Sequence, residues 1–312
     1  MTADLQGDPP APPAPEPGPP EPAGAAPVPT WRRRLRELHP RRFFLETWRQ
    51  MDAEAAAERA ARKLAGAGYD FRPAVALCLG AVLLTLMEYF GVSITFHRVA
   101  KVLEDRSEGS LWWLLRRSRW SELFGYAWWS GCRVAGYFVL PALFVKLMGG
   151  RVRDQGLATR GFLAHAWIYV LAYLVVLGLV VAVSFTDEFS RYYPFYGKAN
   201  RSWFDLVAWE LLYAAQFFGL EFFFRGWWLQ QLKPMMGSHA IFAMVVPYCM
   251  IHFGKPWMEA LAAVVAGVVL GTLAMKTRSI WSGFLIHVSV AVSMDVAALV
   301  QTGGLPTRAW PG

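Results

Sequence analysis

Apolar positions in this chain do not alternate with polar ones. They are gathered into long blocks at roughly 73–96, 121–147, 161–184, 203–232, 239–253, 257–275 and 279–300, each with at most a few charges. About 20 apolar residues in helical form cross a ~30 Å hydrocarbon core. A backbone in hydrocarbon must bond its own polar groups, and for blocks of this length that means helices. The pattern therefore predicts an all-α, polytopic transmembrane bundle of seven or eight helices. The count is open at 97–120, which is basic where strict alternation would place it outside. Its stretch from Leu111 to Trp120 mixes Trp and Leu with Arg116, Arg117 and Arg119. That region is expected to lie in the membrane interface or to hide one more membrane element. Within the sixth block, Gly267-Val-Val-Leu-Gly271 is a small-xxx-small face, a packing signal rather than a chemical one.

Composition sharpens this picture. The 312 residues are 55% hydrophobic, above the 45–50% usual for soluble domains. The net charge of +8 could point to nucleic acid, but the basic residues flank the apolar blocks, where they set topology and meet anionic headgroups. Membrane lipids, not nucleic acid, are the partners this distribution implies. Cys78, Cys132 and Cys249 all fall inside apolar blocks without metal-ligand spacing and read as small buried hydrophobes.

The blocks divide the chain into five parts. Residues 1–30 contain eleven prolines and no apolar h-region, so an extended disordered tail is expected and not a cleavable signal peptide. Residues 31–70 are basic and partly helical, with Trp31, Phe43, Phe44 and Trp48 suited to an interfacial helix on an anionic leaflet. By the positive-inside rule this puts the N-terminus in the cytoplasm. Residues 71–202 hold the N-terminal membrane helices and 203–300 the last four, and 301–312 form a short tail.

Ionisable groups at membrane depth are costly and mark functional sites by default. Glu221 and Arg225 are four apart in Gly219-Leu-Glu-Phe-Phe-Phe-Arg-Gly226 and share a helix face. Read alone, they are a structural ion pair as readily as a site. Two histidines on other helices change the balance: His252, in Tyr248-Cys-Met-Ile-His252, and His287, in Ile280-Trp-Ser-Gly-Phe-Leu-Ile-His287. There is no HExxH and no Gly-x-Ser-x-Gly.

In order and spacing, these residues resemble the CPBP intramembrane proteases, the family that includes the type II CAAX prenyl endopeptidases. The resemblance covers about 203–295. The family pattern is Glu-Glu-x-x-x-Arg, then Phe-x-x-x-His, then His-x-x-x-Asn. Glu221 and Arg225 match the second glutamate and the arginine, and His252 matches the second motif, with Tyr248 where the family has Phe. His287 opens the third. Two positions depart: Leu220 stands at the first glutamate, the family's usual base, and Ala291 at the asparagine.

The resemblance implies a metal-free peptidase with Glu221, Arg225, His252 and His287 as catalytic residues. Glu221 would act as general base on a water that His252 orients, Arg225 would tune the carboxylate, and His287 would serve the oxyanion or the leaving amine. Tyr248 and Asp295 are possible supporting residues, Asp295 equally a structural partner for Arg133. The rival chemistry is a zinc ion held by Glu221, His252 and His287. The substrate implied is a peptide or protein with a membrane-associated tail, in a setting that reads as a bacterial inner membrane. Two further readings stay open. One is an inactive family member that binds a peptide or partner in the same cavity, with Leu220 and Ala291 as its evidence. The other is a transporter, for which no internal repeat speaks. Deleting Met1 to Thr30 is expected to leave membrane insertion and detergent stability unchanged, as membrane fractionation and a melting curve of the truncated chain would record.

Overall fold

The computed structural model describes residues 36–104, 111–159 and 165–311. The proline-rich segment 1–30 lies outside the described residues. Among those described, regular structure is helical throughout. A π-helical turn, Arg41–Glu46, leads into α1 (Thr47–Leu64). Then follow α2 (Arg72–Phe90), α3 (Ser93–Glu104), α4 (Leu111–Arg117), α5 (Ser121–Leu147), α6 (Ala166–Val183) and α7 (Asp187–Tyr192). The last four are α8 (Trp203–Met236), α9 (His239–Met250), α10 (Trp257–Thr277) and α11 (Trp281–Thr302).

Six of these, α2, α5, α6, α8, α10 and α11, are long and apolar enough to cross a membrane, and the protein is an integral membrane protein. The block at 239–253 is a different case. Its helix, α9, has 12 residues, about 18 Å of rise, well short of a ~30 Å core. The chain then turns through Ile251 to Pro256 into α10. Region 97–120 adds no span either. It folds as α3 and α4, tied together where Glu104 receives Arg116 and Arg117. The arginines that interrupt its apolar run keep the segment too short and too charged to cross; residues 105–110 lie outside the described residues.

The 34-residue α8 is the axis of the bundle, packed on α5 and α11. Both α5 and α8 carry a π-helical turn, Ala135–Val139 and Phe222–Trp228, and the two turns face each other. Tyr137 lies 5.2 Å from Phe223 and Phe138 4.8 Å from Phe222, ring to ring. Between helices in lipid there is little hydrophobic driving force, so close packing of this kind must supply the cohesion. The glycine face of α10 meets α9: a methyl group on Gly267 would lie 2.8 Å from Val245, and one on Gly271 3.1 Å from Met244. The short C-terminal tail returns to the start of α8, where the Trp203 and Phe204 N–H groups donate to the carbonyls of Arg308 and Ala309.

The basic segment is fastened to one end of the bundle. Trp48 Nε1 donates to Thr272 Oγ1 (3.0 Å), and Asp52 accepts from the backbone N–H of Ser238 (2.6 Å) at the start of α9. Glu54 joins Lys233 of α8 (2.9 Å) to Arg278 beyond α10 (3.0 Å). A helix as polar as α1 takes its stability from such contacts. Burial raises the Glu54 carboxyl, but hydrogen bonds from Lys233 and Gln50 and the nearby charges of Lys233 and Arg278 hold it below its ordinary 4.5. A carboxylate depressed by folding contributes stability above its ordinary pKa, and loses it as pH falls through the folded value. Glu54→Gln should therefore lower the detergent melting temperature at pH 7 by about 2–4 °C. In melting curves taken from pH 7 to pH 3, the gap between the two proteins should close below pH 4.5.

Candidate active site

Glu221 is the last residue of regular α-helix in α8, and Arg225 sits in the π-helical turn that follows. Such turns widen a helix locally and recur at functional sites. Here the turn keeps the two side chains on one face, with Arg225 Nη1 3.1 Å from Glu221 Oε1 and neither side chain exposed at all. The rest of the site comes from α11, α9 and α10.

From α11, His287 Nδ1 reaches the same Glu221 oxygen at 2.7 Å. The approach depends on Gly283, one turn earlier, because a Cβ there would run into the Glu221 carboxylate. Phe217 of α8 lies flat against the imidazole, its ring centroid 5.3 Å away and the planes 4° apart. From α9, Tyr248 Oη is 2.9 Å from His287 Nε2, and its ring faces the Arg225 guanidinium at 3.9 Å, a cation–π contact that strengthens when dry. Gly267 of α10 gives Tyr248 its place, with the tyrosine Cδ1 3.2 Å from where a Cβ would stand.

Proton placement follows from what each group can accept. The tautomer that protonates Nδ1 toward the carboxylate and leaves Nε2 to accept from the Tyr248 hydroxyl suits both contacts, although the 2.7 Å approach lies off hydrogen-bond geometry and leaves Nδ1 and both Glu221 oxygens without a hydrogen-bond partner among the described residues. His252 follows the same logic. Its Nδ1 lies 2.8 Å from the Tyr248 carbonyl and must donate, which leaves Nε2 as a lone pair. The interior of the cluster is closed, and its open edge is formed by His287, whose side chain is 16% exposed, and by the half-buried His252.

Of the residues expected from sequence, Glu221, Arg225, Tyr248 and His287 form one connected cluster, with His252 beside it. Asp295 does not join them. Eight residues past His287, it is buried and accepts from Trp209 Nε1 at 2.6 Å, because two turns of helix carry it ~12 Å away and to another face. It does not pair with Arg133 either, whose guanidinium lies 3.8 Å from Glu88. Leu220 is buried in the apolar core around Tyr137 and Phe224, and Ala291 in an aromatic cluster with Trp209 and Tyr213. Phe217 and Gly283 were not singled out in the sequence, though each stands four residues before a polar site residue, on its face of the helix.

Both nitrogens of His287 are turned to protein partners, Glu221 and Tyr248. No group of three His, Cys, Asp or Glu side chains among the described residues has metal-binding geometry.

Compared with known proteins, residues 201–293 match the family described as type II CAAX prenyl endopeptidase Rce1-like. No curated protein and no solved structure matches the chain. Gly283→Ala should cost ~1–3 kcal/mol by overpacking, whereas Gly178→Ala, inside a helix and meeting nothing within 4 Å, should keep or slightly raise stability. Paired melting curves in detergent check both.

Proposed function

Residues 201–293 form a domain of the CPBP protease family, of the Rce1-like type II CAAX prenyl endopeptidase kind, and on that premise we propose that the protein hydrolyses a membrane-associated peptide or protein tail. The observation that carries the reading is the continuous polar contact from Arg225 through Glu221 and His287 to Tyr248, inside helices that cross the membrane. A polar chain this costly to bury is retained where it has chemistry to perform.

Glu221 and His287 act as one base. His287 Nε2 takes a proton from water as the water oxygen bonds to the scissile carbonyl carbon, and the imidazolium is balanced by Glu221. Glu221 itself is fully enclosed, so the imidazole at the open edge makes the proton transfer and the carboxylate sets its tautomer. Arg225 supplies the fixed counter-charge that keeps the carboxylate from repelling its surroundings. The Tyr248 hydroxyl, released from Nε2, donates to the developing oxyanion. His252 Nε2 accepts the second hydrogen of the water and so orients it. The proton on His287 then passes to the leaving nitrogen as the C–N bond breaks, giving a carboxylic acid and an amine. No step calls for a metal, and activity should survive treatment with a zinc chelator such as 1,10-phenanthroline.

A binding protein without catalysis is the second reading, and Leu220 and Ala291 favour it, since both put apolar side chains where the family has polar ones. One experiment separates the two. His287→Gln and Tyr248→Phe are measured beside the parent chain for melting temperature in detergent and for cleavage of a panel of co-expressed, membrane-anchored reporter tails. Catalysis by the proposed base requires His287→Gln to lose ~10²–10⁴-fold in rate with its melting temperature nearly kept. Glu221→Gln should show the same loss, accompanied by destabilisation, because Arg225 is left as a buried charge without its partner. Parent-like cleavage by a folded His287→Gln would remove the mechanism.

The α1 end of the bundle carries the larger share of basic residues, and the proposed orientation places it in the cytoplasm.

A further inference from the structure

A second polar feature lies far from the site, where α1 ends and α2 enters the membrane. A groove of about 300 Å³ opens there, lined by Arg59, Arg62, Lys63 and Tyr69 on one side and by Pro234 and Met235, at the end of α8, on the other. Its charges are not balanced. Asp70, the acid in the lining, is held by Arg72 through two contacts of 2.8 and 2.7 Å. Hydrogen bonds from Arg72 come first among the causes that hold the Asp70 carboxyl below its ordinary range, and Arg62 Nε stands 3.8 Å from the same carboxylate, so this one acid is shared between two cations while Arg59 and Lys63 have no acid of their own among the described residues. Arg59 uses one nitrogen on the Pro234 carbonyl (2.7 Å) and Arg62 one on that of Gly68 (3.1 Å). Lys63 is exposed, with no partner among the described residues. Donors therefore remain on all three cations.

The rim of the groove is apolar and uncovered: Leu64 is 89% exposed, Tyr69 70% and Phe71 65%. Tyr69 and Phe71 stand edge to face, centroids 4.7 Å apart. A site for a soluble anion has no use for such a rim. A site at headgroup depth does, and depth here is set by the chain itself, because the membrane-crossing helix α2 begins at Arg72. Cations that meet phosphate, next to aromatic and aliphatic side chains that meet acyl chain, are the combination found where protein enters an anionic leaflet.

We propose that this groove binds the phosphate headgroup of an anionic phospholipid. A headgroup seated there contacts three parts of the fold at once: the last turn of α1, the link to α2, and the end of α8. Occupancy therefore clasps α1 to the helix that bears Glu221 and Arg225.

The test uses the full chain, purified in detergent, stripped of lipid and titrated with dioctanoyl phosphatidylglycerol, dioctanoyl phosphatidylcholine or sodium phosphate. Bound lipid is read by native mass spectrometry and stability by melting temperature. Phosphatidylglycerol should bind with a stoichiometry of one at low concentration and raise the melting temperature, while the other two have no effect at matched concentration. Arg62→Gln with Lys63→Gln should weaken that binding roughly tenfold or more, two cations being lost. Arg41→Gln with Arg49→Gln, which removes the same charge from the same basic segment, should leave it unchanged. Should the double variant fail to fold, Lys63→Glu, at an exposed position without a partner, serves in its place. Three results would each overturn the proposal: undiminished binding in the Arg62/Lys63 variant, an equal loss in the Arg41/Arg49 control, or a full stabilising effect of inorganic phosphate, which would make this a soluble-anion site.

Discussion

The ion pair between Glu221 and Arg225 is the constraint around which the rest of the bundle is arranged. Both side chains are wholly enclosed, and in a bilayer neither can fall back on bulk water. Either one without the other would be a buried charge costing ~3–5 kcal/mol. The pair also leaves valences over, and the neighbouring helices are shaped to meet them. A glycine on α11 lets His287 come down onto the carboxylate, and a glycine on α10 lets α9 press the Tyr248 ring against the guanidinium. The π-helical turn in α8 holds Arg225 alongside Glu221 while the three phenylalanines between them, fully buried, pack on the matching turn of α5. The aromatic density of the core follows from the need to wall off two charges with stiff, close-fitting groups.

Much of this was readable from the chain alone, because apolar block length is a one-dimensional signal and the bilayer a one-dimensional filter. The blocks at 121–147 and 203–232 correspond to α5 and α8 closely. The filter fails where a block is apolar but short: 239–253 looks like its neighbours in composition, and only the break at Ile251 to Pro256 distinguishes it. It fails again at 97–120, where Trp and Leu mark the surface of the bundle and not its interior. For the site, ionisable residues at membrane depth are conspicuous, and Glu221, Arg225, His252 and His287 stood out for that reason. Asp295 was conspicuous on the same ground, yet its partner is the Trp209 indole, a pairing set by how α8 and α11 cross. Phe217 and Gly283 carry no charge, and among 21 Phe and 27 Gly nothing but three-dimensional contact distinguishes them.

The family match covers 201–293, and the remainder of the chain has its own structural work. α5 supplies the wall against which the aromatic turn of α8 is pressed. α1 reaches over the other end of that helix and fastens the starts and stops of α8, α9 and α10 through Asp52, Glu54 and Trp48. The matched helices are thus held from the side and from one end by segments outside the match. A variant in either support can alter the site without touching a residue in it.

The shortness of α9 has an effect that reaches into the surrounding lipid. Phe242, Val246 and Met250 lie along its uncovered side, so acyl chains pack against a surface only about 18 Å tall. A bilayer facing a surface shorter than its own core thins to match it, at a cost that rises with each ångström of mismatch. Thinning at the end of α9, just before the turn that carries His252, would bring the aqueous phase down toward the imidazole instead of raising the protein to meet it. Water, scarce in hydrocarbon, would then become a locally available reagent through the shape of the membrane. The thickness of the host bilayer then sets how deep that dimple must be, and so how readily the site is wetted.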